Sequence, residues 1–98
     1  MIDTRQIESS WSDEHWLVDR PLSFRVRGGR KSRRSTVTQR NLNYLVVKMP
    51  THELPEVGAW LHPESEDQSR RHGFRTAIVR RIESDAGGHG VILMEILS

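Results

Sequence analysis

From Leu22 onward, apolar and polar residues alternate with a period of two, and no other property constrains the fold as tightly. Leu22, Phe24 and Val26 alternate with Ser23, Arg25 and Arg27, the pattern of a half-buried strand. Gly28-Gly29 then supplies turn chemistry. Thr36-Val37-Thr38 is β-branched and reads as a second strand, interrupted by Asn41-Leu42-Asn43. Tyr44 to Met49 forms a third, with Leu45, Val47 and Met49 on one face. After a loop bracketed by Pro50 and Pro55, Val57 to Leu61 reads as a fourth. Its Val57, Ala59 and Leu61 share one face, and Trp60 faces outward as a candidate interface anchor. The polar stretch 62–72 reads as an exposed loop. Phe74 to Ile82 forms a fifth strand, Ala86-Gly87-Gly88 a turn, and Val91 to Leu97 a sixth. The sixth is apolar on both faces apart from Glu95, so it needs a central position or cover from elsewhere. No convincing helix follows residue 20. Six short strands with regular turn signals predict an all-β antiparallel barrel or sandwich.

Ninety-eight residues suffice for one domain. Residues 1–21 read as an N-terminal arm, with residues 22–98 forming the β domain. Asp3 with Gln6 three positions on resembles a capping box, and Trp11 shares a helical face with His15 or Trp16. Pro21 closes the arm by restricting Arg20 before it. Trp11 and Trp16 are candidates to cover the barrel or, like Trp60, to stack on bases; burial is the commoner fate of tryptophan.

Charge is segregated. From Arg20 to His52 there is no acidic residue, and basic charge peaks at Arg30-Lys31-Ser32-Arg33-Arg34. Residues 1–19 hold five acids against Arg5, residues 53–67 hold five acids and neither lysine nor arginine, and residues 68–81 hold five arginines and no acid. Such a field attracts phosphates, nucleic acid or an acidic protein surface. The alternative for the Arg30–Arg34 block is a solvated hairpin that keeps a strand edge from aggregating. Arg25 and Arg27, with Arg40 across the sheet, form either a basic stripe or ordinary polar alternation.

The chain has no cysteine, which excludes disulfides, thiolate catalysis and cysteine-ligated metal sites. Its histidines lack the close spacing that zinc sites favour, so no metal or other cofactor is expected. Ser9, Ser10, Ser12, Asp13 and His15 form no nucleophile elbow or ordered triad, and the expectation is a protein without enzymatic activity. No apolar run approaches the roughly 20 residues of a membrane span. Met1 to Gln6 lacks the basic start and apolar middle of a signal peptide, which makes the cytoplasm the expected location.

The layout from about Leu22 to Leu97 resembles a PilZ domain, a bacterial six-stranded antiparallel β-barrel many of whose members bind cyclic di-GMP. The resemblance rests on Leu54-Pro55-Glu56-Val57-Gly58-Ala59-Trp60-Leu61 and on a last hairpin. That hairpin comprises Arg75 to Ile82, the turn Asp85-Ala86-Gly87-Gly88, and Gly90 to Leu97. The family's RxxxR motif precedes its first strand; here a literal RxxxR, Arg30 to Arg34, follows it. The family's (D/N)xSxxG motif aligns with Gln39-Arg40-Asn41-Leu42-Asn43-Tyr44, which keeps polarity but not the serine or glycine. Arginine suits cyclic di-GMP because its planar fork meets phosphate oxygens or a guanine edge with two hydrogen bonds.

The resemblance implies a six-stranded barrel acting as a non-enzymatic module in cyclic di-GMP signalling. It would bind the dinucleotide through Arg30, Arg33, Arg34 and Arg40, with Asn41 as a supporting polar group, or act as a degenerate adaptor contacting an acidic protein surface. Two alternatives stand beside it. One is a small basic barrel binding RNA or DNA, with salt-sensitive affinity. The other is a homo-oligomer in which the acidic 53–67 segment of one copy meets the basic block of another.

Overall fold

The computed structural model describes residues 16–98 apart from residue 86. The expected capping box and the Trp11 contact of the arm lie outside these residues. The chain forms six strands: β1 (Trp16–Val26), β2 (Ser32–Arg40), β3 (Tyr44–Pro50), β4 (Trp60–Pro63), β5 (Ala77–Ser84) and β6 (His89–Ile96). They close into an antiparallel barrel in the order β1-β2-β3-β6-β5-β4, as the alternation predicts. Among the described residues no helix is long and apolar enough to cross a membrane.

The inward positions fill the barrel. Leu22 and Phe24 of β1, Val37 of β2, and Leu45, Val47 and Met49 of β3 are buried. Leu61, Val79, Ile92 and Met94 complete the wall from the other side. Leu93 packs with Val46 of β3, and both are buried, with Tyr44 and Val91 against them.

Three expectations need correction. First, β1 begins at Trp16 and runs through Pro21, which pairs with Thr36. Residues 16–21 therefore belong to the barrel wall. Proline is tolerated because β1 meets β4 only from Phe24 to Val26, so the Pro21 side lacks a ladder there. Second, Val57 does not line the core. Gly58 adopts φ 91 in a turn, Val57 is exposed, and β4 starts only at Trp60. Trp60 does face outward, with the Arg27 guanidinium 4.3 Å from its ring centroid. Third, the expected 62–72 loop contains a helix, α1 (Glu66–His72).

Helix α1 is specified by its ends rather than by apolar periodicity. The Ser65 hydroxyl accepts from the Gln68 amide at 3.2 Å, Glu66 and Asp67 occupy the first turn, and Gly73 closes the helix in the left-handed region at φ 71. The helix fills the place along β1 that β4 leaves empty. Gln68 Oε1 accepts from the Ser23 amide at 3.3 Å, and His72 Nε2 donates to the Pro21 carbonyl at 2.9 Å. Ser69 Oγ donates to the Phe74 carbonyl at 2.6 Å, fixing the return into β5.

Two of the three irregularities in the described register place the functional groups. Leu17 pairs with Gln39 but Arg20 pairs with Val37, so β1 bulges at Val18–Asp19. Val37 pairs with Val47 but Gln39 pairs with Val46, so β2 bulges at Thr38. Residues directly opposite in an antiparallel pair share a face, and each bulge shifts the side-chain alternation by one. Arg40, opposite the buried Leu45, is thereby turned onto the barrel-facing side. Arg20 lies in frame with Leu22 and Phe24, on that same side.

Phe24 is fully buried and Leu42 is 81% exposed. Phe24→Ala should therefore cost about 3–5 kcal/mol in urea denaturation, whereas Leu42→Ala should stay within about 0.5 kcal/mol of the parent.

Candidate functional site

The two bulges and α1 meet at one end of the barrel, around a cleft of ≈ 450 Å³. Arg20 enters it from β1, Arg40 from β2, and Arg70, Arg71 and His72 from the last turn of α1. Asp19 is the only carboxylate among the described residues that line it.

Ion pairing elsewhere explains why this cleft keeps its positive field. Lys31 pairs with Glu53 at 3.4 Å, Arg25 with Glu64 at 3.7 Å, Arg75 with Glu66 at 2.8 Å and Arg71 with Asp67 at 4.0 Å. Four of the five acids in 53–67 are thus engaged within the chain, leaving Glu56. Arg80 pairs with Glu95 and Arg81 with Glu83. Among the described residues no carboxylate comes within ion-pair distance of Arg20, Arg40 or Arg70. These three guanidiniums, outside any ion pair among the described residues, share the cleft, with Glu66 acting on Arg70 at longer range.

Arg40 is the best held of them. It donates to the His72 carbonyl, satisfying one of the acceptors that a helix C-terminus leaves free. A guanidinium has five N–H donors, so capping α1 leaves donors for a ligand. Burial lowers its pKa from the ordinary arginine value, yet arginine keeps its charge at any physiological pH. A half-buried cation with no counter-charge among the described residues favours an incoming anion.

His72 is buried beside these charges. Burial, above all, lowers its pKa. The hydrogen bond to the Pro21 carbonyl works the other way, and Arg40, Arg20 and Arg71 lower it further. The imidazole is therefore neutral at pH 7, with its proton on Nε2, facing Pro21.

The sequence-predicted residues do not assemble into one pocket. Arg40 is in the cleft, but Arg34 lies six residues back along β2, about 20 Å away at roughly 3.3 Å per residue. Arg33 donates to the Glu53 carbonyl at 3.0 Å and serves the short 3₁₀ turn Thr51–Glu53. Arg30 is exposed in the β1–β2 turn. Asn41 is almost fully buried, and its Oδ1 accepts from the amides of Asn43 and Tyr44, both at 2.8 Å. That closes the β2–β3 turn, while Asn41 Nδ2 has no hydrogen-bond partner among the described residues.

The cleft residues that sequence reading missed are Arg20, Arg70, Arg71 and His72. Arg20 carried a signal: a charge at the next inward position before Leu22 and Phe24. The three helical residues were signalled only through α1 itself, by Ser65 with Gln68 three positions on and by Gly73.

No protein-family model, curated protein or solved structure matches the chain.

The lowered His72 pKa has a signed consequence. Below about pH 6.5, the ordinary histidine value, the unfolded chain binds a proton that the folded chain refuses, so stability falls with pH until the folded pKa is passed. His72→Gln removes this contribution and keeps every acid of the parent, so carboxylate titration cancels between the two proteins. Urea midpoints at pH 8, 7, 6 and 5 should show the parent's advantage over H72Q shrinking as the pH drops below 6.5; a constant gap would contradict the assignment.

Proposed function

We propose that this barrel is a non-enzymatic, PilZ-like module that binds a phosphorylated nucleotide, with cyclic di-GMP as the leading ligand, in the cleft between β1, β2 and α1. One observation carries the reading: Arg20, Arg40 and Arg70, none with a carboxylate partner among the described residues, converge on a single cleft. Planar forks converging from three elements suit phosphate oxygens and guanine edges. The resemblance of the strand layout to PilZ domains supplies the ligand's identity. In this reading the ligand residues are Arg20, Arg40, Arg70 and Arg71, and Arg40 is the one member of the sequence-predicted set that is retained at the site.

Binding in the cleft would also be felt by the helix beside it. Arg40 holds the end of α1, so a phosphate drawing on its guanidinium acts on the helix that carries Arg70 and Arg71. Engagement of four of the five acids of 53–67 within the chain weakens that segment as a partner for the basic block, whereas the arginines of the cleft stay available to an anion.

An amide-shift titration with cyclic di-GMP tests the reading. Shifts are expected at Arg20, Arg40 and Arg70 to Gly73, with little change at Arg30. Arg20→Gln and Arg70→Gln should each weaken binding about tenfold or more, the value of a charge-assisted hydrogen bond being about 1.5–3 kcal/mol, whereas Arg30→Gln should leave it unchanged. Absence of any shift with the parent protein at millimolar nucleotide would refute the proposal.

A further inference from the structure

A second concavity, ≈ 550 Å³, lies on the outer face of β1, β2 and β3. Arg34, Thr36 and Thr38 contribute from β2, Lys48 from β3 and His89 from β6. The register explains the grouping. Thr36 lies opposite Lys48 on one side and Pro21 on the other, and Arg34 is two residues along the same face. Arg34 and Lys48 are both exposed, and neither has a carboxylate within ion-pair distance among the described residues. Asp85 acts on Lys48 only at longer range, its Oδ1 being occupied by the amides of Gly87 and His89. Two cations flanking a threonine hydroxyl make a fit for phosphate oxygens.

This groove adjoins the cleft. Asp19, on the bulge of β1, lines both. The cations of the two concavities thus lie on either side of one short stretch of strand, and Asp19, the one acid among the described residues that lines both, opposes an anion crossing from one to the other.

We infer that the outer groove is a second anion subsite beside the cleft, in which Arg34 and Lys48 hold the second phosphate of a dinucleotide bound at Arg20. The inference rests on the proposed nucleotide reading of the cleft. It gives Arg34 a role different from the one expected of it: it binds the second phosphate from the outer face, apart from Arg40. It also makes Asp19 a determinant of affinity, since removing its charge lifts a repulsive element that borders both concavities.

The test compares cyclic di-GMP, the linear diguanylate dinucleotide and GMP by calorimetry, on the full chain and on surface variants that leave the core intact. The double variant R34Q/K48Q should lose about tenfold or more in affinity for a dinucleotide, the scale of a charged hydrogen bond, while its affinity for GMP stays at the parent value. Loss for the cyclic form, the linear form or both supports the inference and names the form accepted. Asp19→Asn should tighten dinucleotide binding. Unchanged dinucleotide affinity in R34Q/K48Q, with R20Q still weakened, would overturn the second subsite and leave the cleft reading standing. No heat from any of the three nucleotides with the parent protein would remove the cleft reading and the subsite with it.

Discussion

The arrangement depends on a register constraint: a bulge in β1 and another in β2 shift the alternation where these strands reach the end of the barrel. Without the slip at Thr38, Arg40 would share the outward face of Thr36 and its charge would be solvated like that of any surface arginine. With it, Arg40 follows Val37 on the barrel-facing side, meets α1 and holds the His72 carbonyl. An inward arginine at the end of a core column is costly to bury. The structure limits the cost by leaving the guanidinium half-exposed and by giving it a helix terminus to cap.

Charge pairing then decides which of the many basic residues remain available. The sequence has segregated blocks, and in the fold those blocks meet. Acids of 53–67 neutralise Lys31 and Arg25 from the opening hairpin, and Arg71 and Arg75 from the following segment. Each exposed pair contributes little to stability. Their larger effect is to remove those four cations from the count, leaving Arg20, Arg40 and Arg70 without an ion pair at the cleft and Arg34 and Lys48 without one at the outer groove, among the described residues. The Arg30–Arg34 block, the strongest basic feature of the linear sequence, is dispersed: strand alternation sends Arg33 and Arg34 to opposite faces, and Lys31 and Arg33 are tied to the Thr51–Glu53 turn.

The barrel was legible because its signals are local. Leu22-Phe24-Val26 and Leu45-Val47-Met49 display their period without reference to any partner, and Gly28-Gly29 and Gly87-Gly88 punctuate them. The site was not legible, because its signals are relational. A bulge at Thr38 is defined by what β3 offers opposite it, and no glycine marks it. Helix α1 has seven residues and only Ser69 and His72 are buried, too short and too polar to show a helical stripe. Its capping residues, Ser65 with Gln68 and then Gly73, were the available clue. Pro21 misled for a related reason: as a local signal it reads as a boundary, but the strand tolerates it because β4 does not pair there.

The placement of Arg40 can be tested most directly by nuclear Overhauser contacts of its guanidinium protons. The account requires contacts to His72 and Gly73 together with cross-strand contacts between Arg40 and Leu45. Contacts from Gln39 to α1 instead, with the Arg40 guanidinium seeing only solvent and Thr38-side neighbours, would mean that β2 runs without its bulge, and the cleft described here would lose its central cation.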